Sequence, residues 1–172
     1  MITPRLLCRA TAILLFIPAA SLLTATARAE GLLTTHRLSS ELASEAASEV
    51  VASCGRQGYA ETAVVVDADG VRQAVLRGDR AGSHTLDSAN DKAYTAASFK
   101  TDTSALMERA KTVTGFTALF TQLPHLILIG GGVVIKVGDE TVGAIGASGA
   151  PGGDLDEACA RAGLDKIRDR LR

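Results

Sequence analysis

The chain has 172 residues, enough for one ordinary domain, with hydrophobic residues at 47% and aromatic residues at only 3%. Such a composition supports a core of aliphatic side chains; it excludes a disordered chain and leaves few platforms for stacking single-stranded nucleic acid. The formal charge is −1 and no segment forms a basic run, which excludes a phosphate-backbone binder.

The N-terminus has three parts. Arg5 and Arg9 are a positive start, Ala10–Leu23 is an apolar run broken by Pro18, and Ala27-Arg28-Ala29 is a small-x-small cleavage signal. This order predicts a secretory signal over residues 1–29. The apolar run is shorter than the ~20 residues that span a bilayer, so no membrane anchor is expected after cleavage. The expected mature protein is a single domain, residues 30–172, in the periplasm or outside the cell. Of the 18 Lys and Arg, three (Arg5, Arg9, Arg28) lie in residues 1–29, which hold no Asp or Glu; the mature chain therefore carries 15 basic and 19 acidic residues, a charge of −4. Cys8 leaves with the signal. Cys54 and Cys159 remain, and in an oxidising compartment they form either a disulfide or two small buried thiols.

The mature chain begins with a lead-in, Glu30–Arg37. Ser39 then offers an N-cap, and Leu38, Leu42, Ala46, Val50 and Cys54 recur every four residues, which predicts a helix ended by Gly55 and Gly58. Ala63–Val66 reads as a buried strand, Asp67-Ala68-Asp69-Gly70 as a turn, and Val71–Arg77 as the returning strand of a hairpin. An Ala-rich helix runs from His84 to about Lys100, and Thr103–Ala110 suggests another. Thr112–Pro124 is ambiguous. Leu126–Ile129, Val133–Val137 and Val142–Ala147 complete the strands. Pro151-Gly152-Gly153 leads into a last helix, with Asp154 as cap and Leu155, Ala158, Cys159, Ala162 and Ile167 as inner face. No helix separates the later strands, so they pair antiparallel. The fold class is α+β, in the order α-β-β-α-(α)-β-β-β-α. The first and last helices can share one sheet face, which would bring Cys54 near Cys159.

Few residues carry chemistry. The stretch from Gly130 to Gly153 is glycine-rich, and Gly146, Ser148 and Gly149 follow a strand and precede a helix. Their backbone N–H groups are a candidate anion loop, although the spacing matches neither G-x-G-x-x-G nor a P-loop. The alternative is a set of tight turns where another backbone approaches closely. His36, His84 and His125 have no i, i+3 or i, i+4 spacing, so a closed zinc site is not expected. One imidazole in an apolar pocket suffices as an axial ligand to haem iron, and the absence of C-x-x-C-H excludes covalent attachment. No G-x-S-x-G nucleophile elbow is present.

Three segments in order, Val65-Val66-Asp67-Ala68-Asp69-Gly70, Lys92-Ala93-Tyr94-Thr95-Ala96-Ala97-Ser98-Phe99, and Gly130–Gly149 with its Gly-Gly-Gly-Val-Val-Ile-Lys, together resemble the GlcG/HbpS family of haem-binding proteins. The resemblance spans about Leu38 to Arg170. It implies a five-stranded antiparallel sheet with helices on both sides, related to profilin-like domains. It also implies self-assembly, from dimers to octamers, and a non-enzymatic role in haem or iron handling or redox sensing, with haem b as cofactor. His84 is the first candidate iron ligand under the resemblance, then His125. Tyr94 is an alternative ligand, and Lys92 and Lys100 are candidates for the propionates. Two other readings stay open: a protein or enzyme binding a small carboxylate at the Gly146–Gly153 loop, and a ligand-free structural oligomer.

Overall fold

In the computed structural model the described residues are 31–171; the expected signal segment, residues 1–29, lies outside them. The described residues from Thr34 onward form one compact unit. Helix α1 (Ser40–Arg56) starts where the sequence places a cap: Ser39 Oγ accepts the Leu42 N–H at 3.2 Å. Strands β1 (Thr62–Asp67) and β2 (Arg72–Arg77) form the expected hairpin, and Gly70 takes a φ of 81° in its turn. Helices α2 (His84–Phe99), α3 (Thr103–Thr112) and α4 (Phe116–Gln122) follow, α4 lying in the ambiguous segment. Strands β3 (Gly132–Val137) and β4 (Glu140–Ser148) and helix α5 (Gly153–Ile167) complete the unit.

The sheet is antiparallel in the order β2-β1-β4-β3. It has four strands, not the expected five: Leu126–Ile129 is not a strand. The place a further strand would take beside β3 is occupied by the start of α3. Thr103 Oγ1 accepts the Gly132 N–H at 2.9 Å, and Asp102 Oδ1 accepts the Val134 N–H at 2.8 Å. The segment itself is held by helix α2, where Thr95 Oγ1 accepts the Ile127 N–H at 3.0 Å.

Every residue of β1 is buried, because the strand is central and covered on both faces. One face carries α1 and α5, with Val50, Val65, Ile135, Ile145 and Ile167 in the main core. Each such side chain contributes about 1.5–3 kcal/mol by leaving water. The other face carries α2, whose Ala89, Ala93, Ala96 and Ala97 meet Val64, Val66 and Ala144. Small residues set how close α2 sits: a Cβ at Gly146 would lie 1.9 Å from the Ala89 carbonyl oxygen.

Cys54 and Cys159 are bridged, with Cα atoms 5.6 Å apart, and both are fully buried. Of the two readings left open by the sequence, the disulfide is the one formed. The inner face of α5 differs from the apolar pattern: Asp156, Cys159, Ala160, Gly163 and Ile167 are buried, while Ala158 is exposed. Gly163 points inward because α1 crosses there, and an added Cβ would sit 2.7 Å from the Ala46 carbonyl oxygen. Asp156 points inward because it has a buried cation to meet. Asp154 does not cap the helix; Gly152 holds the cap position.

Candidate functional site

With its Ala stripe pressed on the sheet, α2 turns Asp91, Tyr94 and Ser98 the other way, at helical spacing. Tyr94, Ser98 and Phe99 then form one wall of a surface pocket of about 340 Å³; Leu123, Pro124 and Leu126, in the segment after α4, form the other. Behind Phe99 lie Phe116 and Phe120, with ring centroids 5.4 to 6.2 Å apart across the three pairs. Arg109 stacks over the Phe116 ring at 4.8 Å. This aromatic cluster fixes the pocket's apolar wall. Leu123 of the pocket wall is 51% exposed and Leu119 of α4 42%, so apolar surface continues from the pocket onto α4.

His125 stands beside this pocket in the left-handed region, at φ 63°. Its Nδ1 is 3.2 Å from Asp91 Oδ1, and its ring meets Tyr94 edge-on at 6.3 Å. A carboxylate on Nδ1 leaves Nε2 as the free ring nitrogen and orients the imidazole, as partners of metal-bound histidines do. The Tyr94 ring lies over the hairpin turn, where a Cβ at Gly70 would come within 2.7 Å of it.

The other candidates do not join this group. His84 is exposed at the first turn of α2, with its ring against Gly82. It precedes Tyr94 by ten residues, about 15 Å along a helix. Lys92 is 2% exposed and is consumed inside the protein: its Nζ donates to Asp156 Oδ2 at 2.5 Å and to the Ala147 carbonyl at 3.0 Å. It is therefore not available to a propionate. Lys100 is exposed and caps α2 at φ 53°, next to Phe99 of the pocket wall.

The anion loop is not built. Gly146 and Ser148 belong to β4, and Ser148 Oγ donates to Ser88 Oγ at 3.0 Å. Gly149 has its would-be Cβ 2.2 Å from the Ala60 carbonyl oxygen, a close backbone approach. The next free N–H, at Ala150, is taken by Asp156 Oδ1 at 2.9 Å, and the first turn of α5 carries Asp154 and Asp156. Acidic side chains on a helix N-terminus compete with any anion. Among the described residues no three His, Cys, Asp or Glu side chains converge as a metal site.

Sequence reasoning missed Asp91, Ser98, Leu123, Pro124 and Leu126. The stripe Asp91–Tyr94–Ser98, opposite the Ala stripe, was the signal that marked the exposed face of α2.

The chain is thus an antiparallel α+β domain with an apolar surface pocket bordered by a tyrosine and an oriented imidazole. The model of the family described as "Haem degrading protein HbpS-like" matches residues 38–165, and the chain belongs to that family. Among solved structures, a doubly substituted HbpS from Streptomyces reticuli is 36% identical, covers 86% of this chain and 97% of that one, and superposes with a TM-score of 0.73. A second HbpS structure is 35% identical over 82% of this chain and 97% of that one, at a TM-score of 0.74. A PduOC complex with heme shares the fold at 21% identity, over 77% of this chain and 96% of that one, with a TM-score of 0.70. No curated protein matches the sequence.

Proposed function

We propose that the mature domain binds haem b outside the cytoplasm, in the pocket between α2 and the segment after α4. The observation that carries this is the pocket itself: an apolar slot flanked by an imidazole whose Nδ1 is held by Asp91. In this reading His125 Nε2 would hold the iron, with Tyr94 the alternative, and Lys100 would meet a propionate at the pocket's edge. Family membership and the heme-bound fold relative support haem as the ligand. The Cys54–Cys159 bridge supports export, since disulfides persist in oxidising compartments. Exposed Val75 and Leu76 on the edge strand β2, with Val71 just before it, favour self-association into dimers or larger oligomers.

Hemin titration of the mature protein tests the reading. A saturable Soret shift is expected, weakened at least tenfold by His125→Ala and little changed by His84→Ala. No saturable shift, or the reverse order of the two variants, overturns it. We read the role as binding without turnover; the family's description favours a second reading, haem degradation. Loss of the Soret band with an electron donor and oxygen, faster than for free hemin, would establish that second reading.

A further inference from the structure

Away from the pocket, three ionisable groups meet inside the protein. Glu61, just before β1, is 1% exposed, Lys92 of α2 2%, and Asp156 of α5 4%. Lys92 Nζ binds Asp156 Oδ2 at 2.5 Å, and Asp156 Oδ1 accepts the Ala150 N–H at 2.9 Å. Both Glu61 carboxyl oxygens are sealed from solvent without a well-formed hydrogen bond. Two carboxylates and one ammonium would leave one negative charge uncompensated in a closed site, at a cost far above that of holding a proton there.

We propose that this cluster is a proton-dependent latch: the Glu61–Asp156 pair holds one proton in the folded state, and losing it loosens the Ala150 loop and the first turn of α5 from the sheet. The charged groups facing Glu61 are Asp156 from α5, which repels its charge, and Lys92 from α2, which attracts it. Asp79 and Arg80, in the loop after β2, and Tyr59 share a surface pocket with Glu61; α1 contributes only Val51 and Gly55 there. Burial first, and the Asp156 charge second, push the Glu61 carboxyl up to about 8. The latch connects three elements of the fold through buried polar contacts. Asp156 ties α5 to Ala150, and through Lys92 to the Ala147 carbonyl of β4 and to α2.

The sign follows from linkage. The folded protein binds this proton more tightly than the unfolded chain, whose glutamate titrates near 4.5. The stabilisation is complete below pH 4.5 and is lost as pH rises through about 8. The test compares wild type with Glu61→Gln, which keeps the shape and removes the titration. The unfolding constant of wild type should rise relative to the variant by close to tenfold per pH unit between pH 5 and 8. Carbon-13 NMR of the glutamate carboxyls in wild type supplies a reading that does not depend on the variant folding. One carboxyl titrating between pH 7 and 9, with the Ala150 amide exchanging faster above that midpoint, supports the latch. Parallel stability profiles, or all glutamates titrating below pH 6, overturn it.

Discussion

Removing the Cys54–Cys159 bridge should lower stability by about 4.7 kcal/mol, because the bridge closes a loop of 105 residues and the unfolded chain loses that much freedom when it is closed. The bridge joins α1 to α5, two helices that pack against each other through Gly163, so their native contacts persist when the sulfurs are reduced. The effect therefore falls mainly on the unfolded state. With a urea dependence of about 2 kcal/mol per M, the midpoint moves down by about 2 M. The assay is urea unfolding of wild type with and without reductant, beside the Cys54→Ala/Cys159→Ala double variant. Reduction should reproduce most of the shift seen in the double variant. Coincident curves for oxidised and reduced protein, or two thiols alkylated in the native state without reductant, would refute the reasoning.

Other substitutions probe the packing and the ion pairs. Gly146→Val places a side chain where the Ala89 carbonyl oxygen already stands, and should lower stability by about 3 kcal/mol or more in denaturant titration; an unchanged midpoint would show that α2 can shift off the sheet freely. Lys92→Met leaves Asp156 buried beside Glu61 without its cation, and should lower stability by about 3–5 kcal/mol at pH 8. That loss should shrink on acidification, as Glu61 takes up its proton; a loss independent of pH would point to packing alone. At the N-terminal end of the unit, the His36 side chain and N–H hold the Glu140 carboxylate below the usual range. A depressed carboxylate stabilises above its ordinary range and stops doing so as pH falls, so the His36 amide should exchange faster at pH 3 than at pH 6; equal protection would remove the contact from solution.

Much of the fold was legible along the chain because it depends on local signals. The four-residue recurrence from Leu38 to Cys54 and the Ser39 cap define α1, and Asp-Ala-Asp-Gly between valine-rich runs defines the hairpin. The Ala stripe of α2 was also legible, and with it the family resemblance. The candidate site was only half legible. Tyr94 and His125 were among the candidates, but nothing local distinguishes them from His84, which lies at the far end of the same helix.

Chemistry written in single residues and short periods was readable along the chain: the signal-like start, the pair Cys54 and Cys159, the small residues that let helix and sheet meet. Tertiary structure decided what depends on partners distant along the chain. Asp102 and Thr103 cap the edge of β3, so Leu126–Ile129 is not a strand. Cys54 reaches a cysteine 105 residues away. Lys92, a candidate for a propionate from the resemblance, is drawn inside because Asp156, 64 residues later, waits there with Glu61 beside it. A buried charge is stable only where its counter-charge is also buried, and that condition is met by the fold as a whole, not by any one segment.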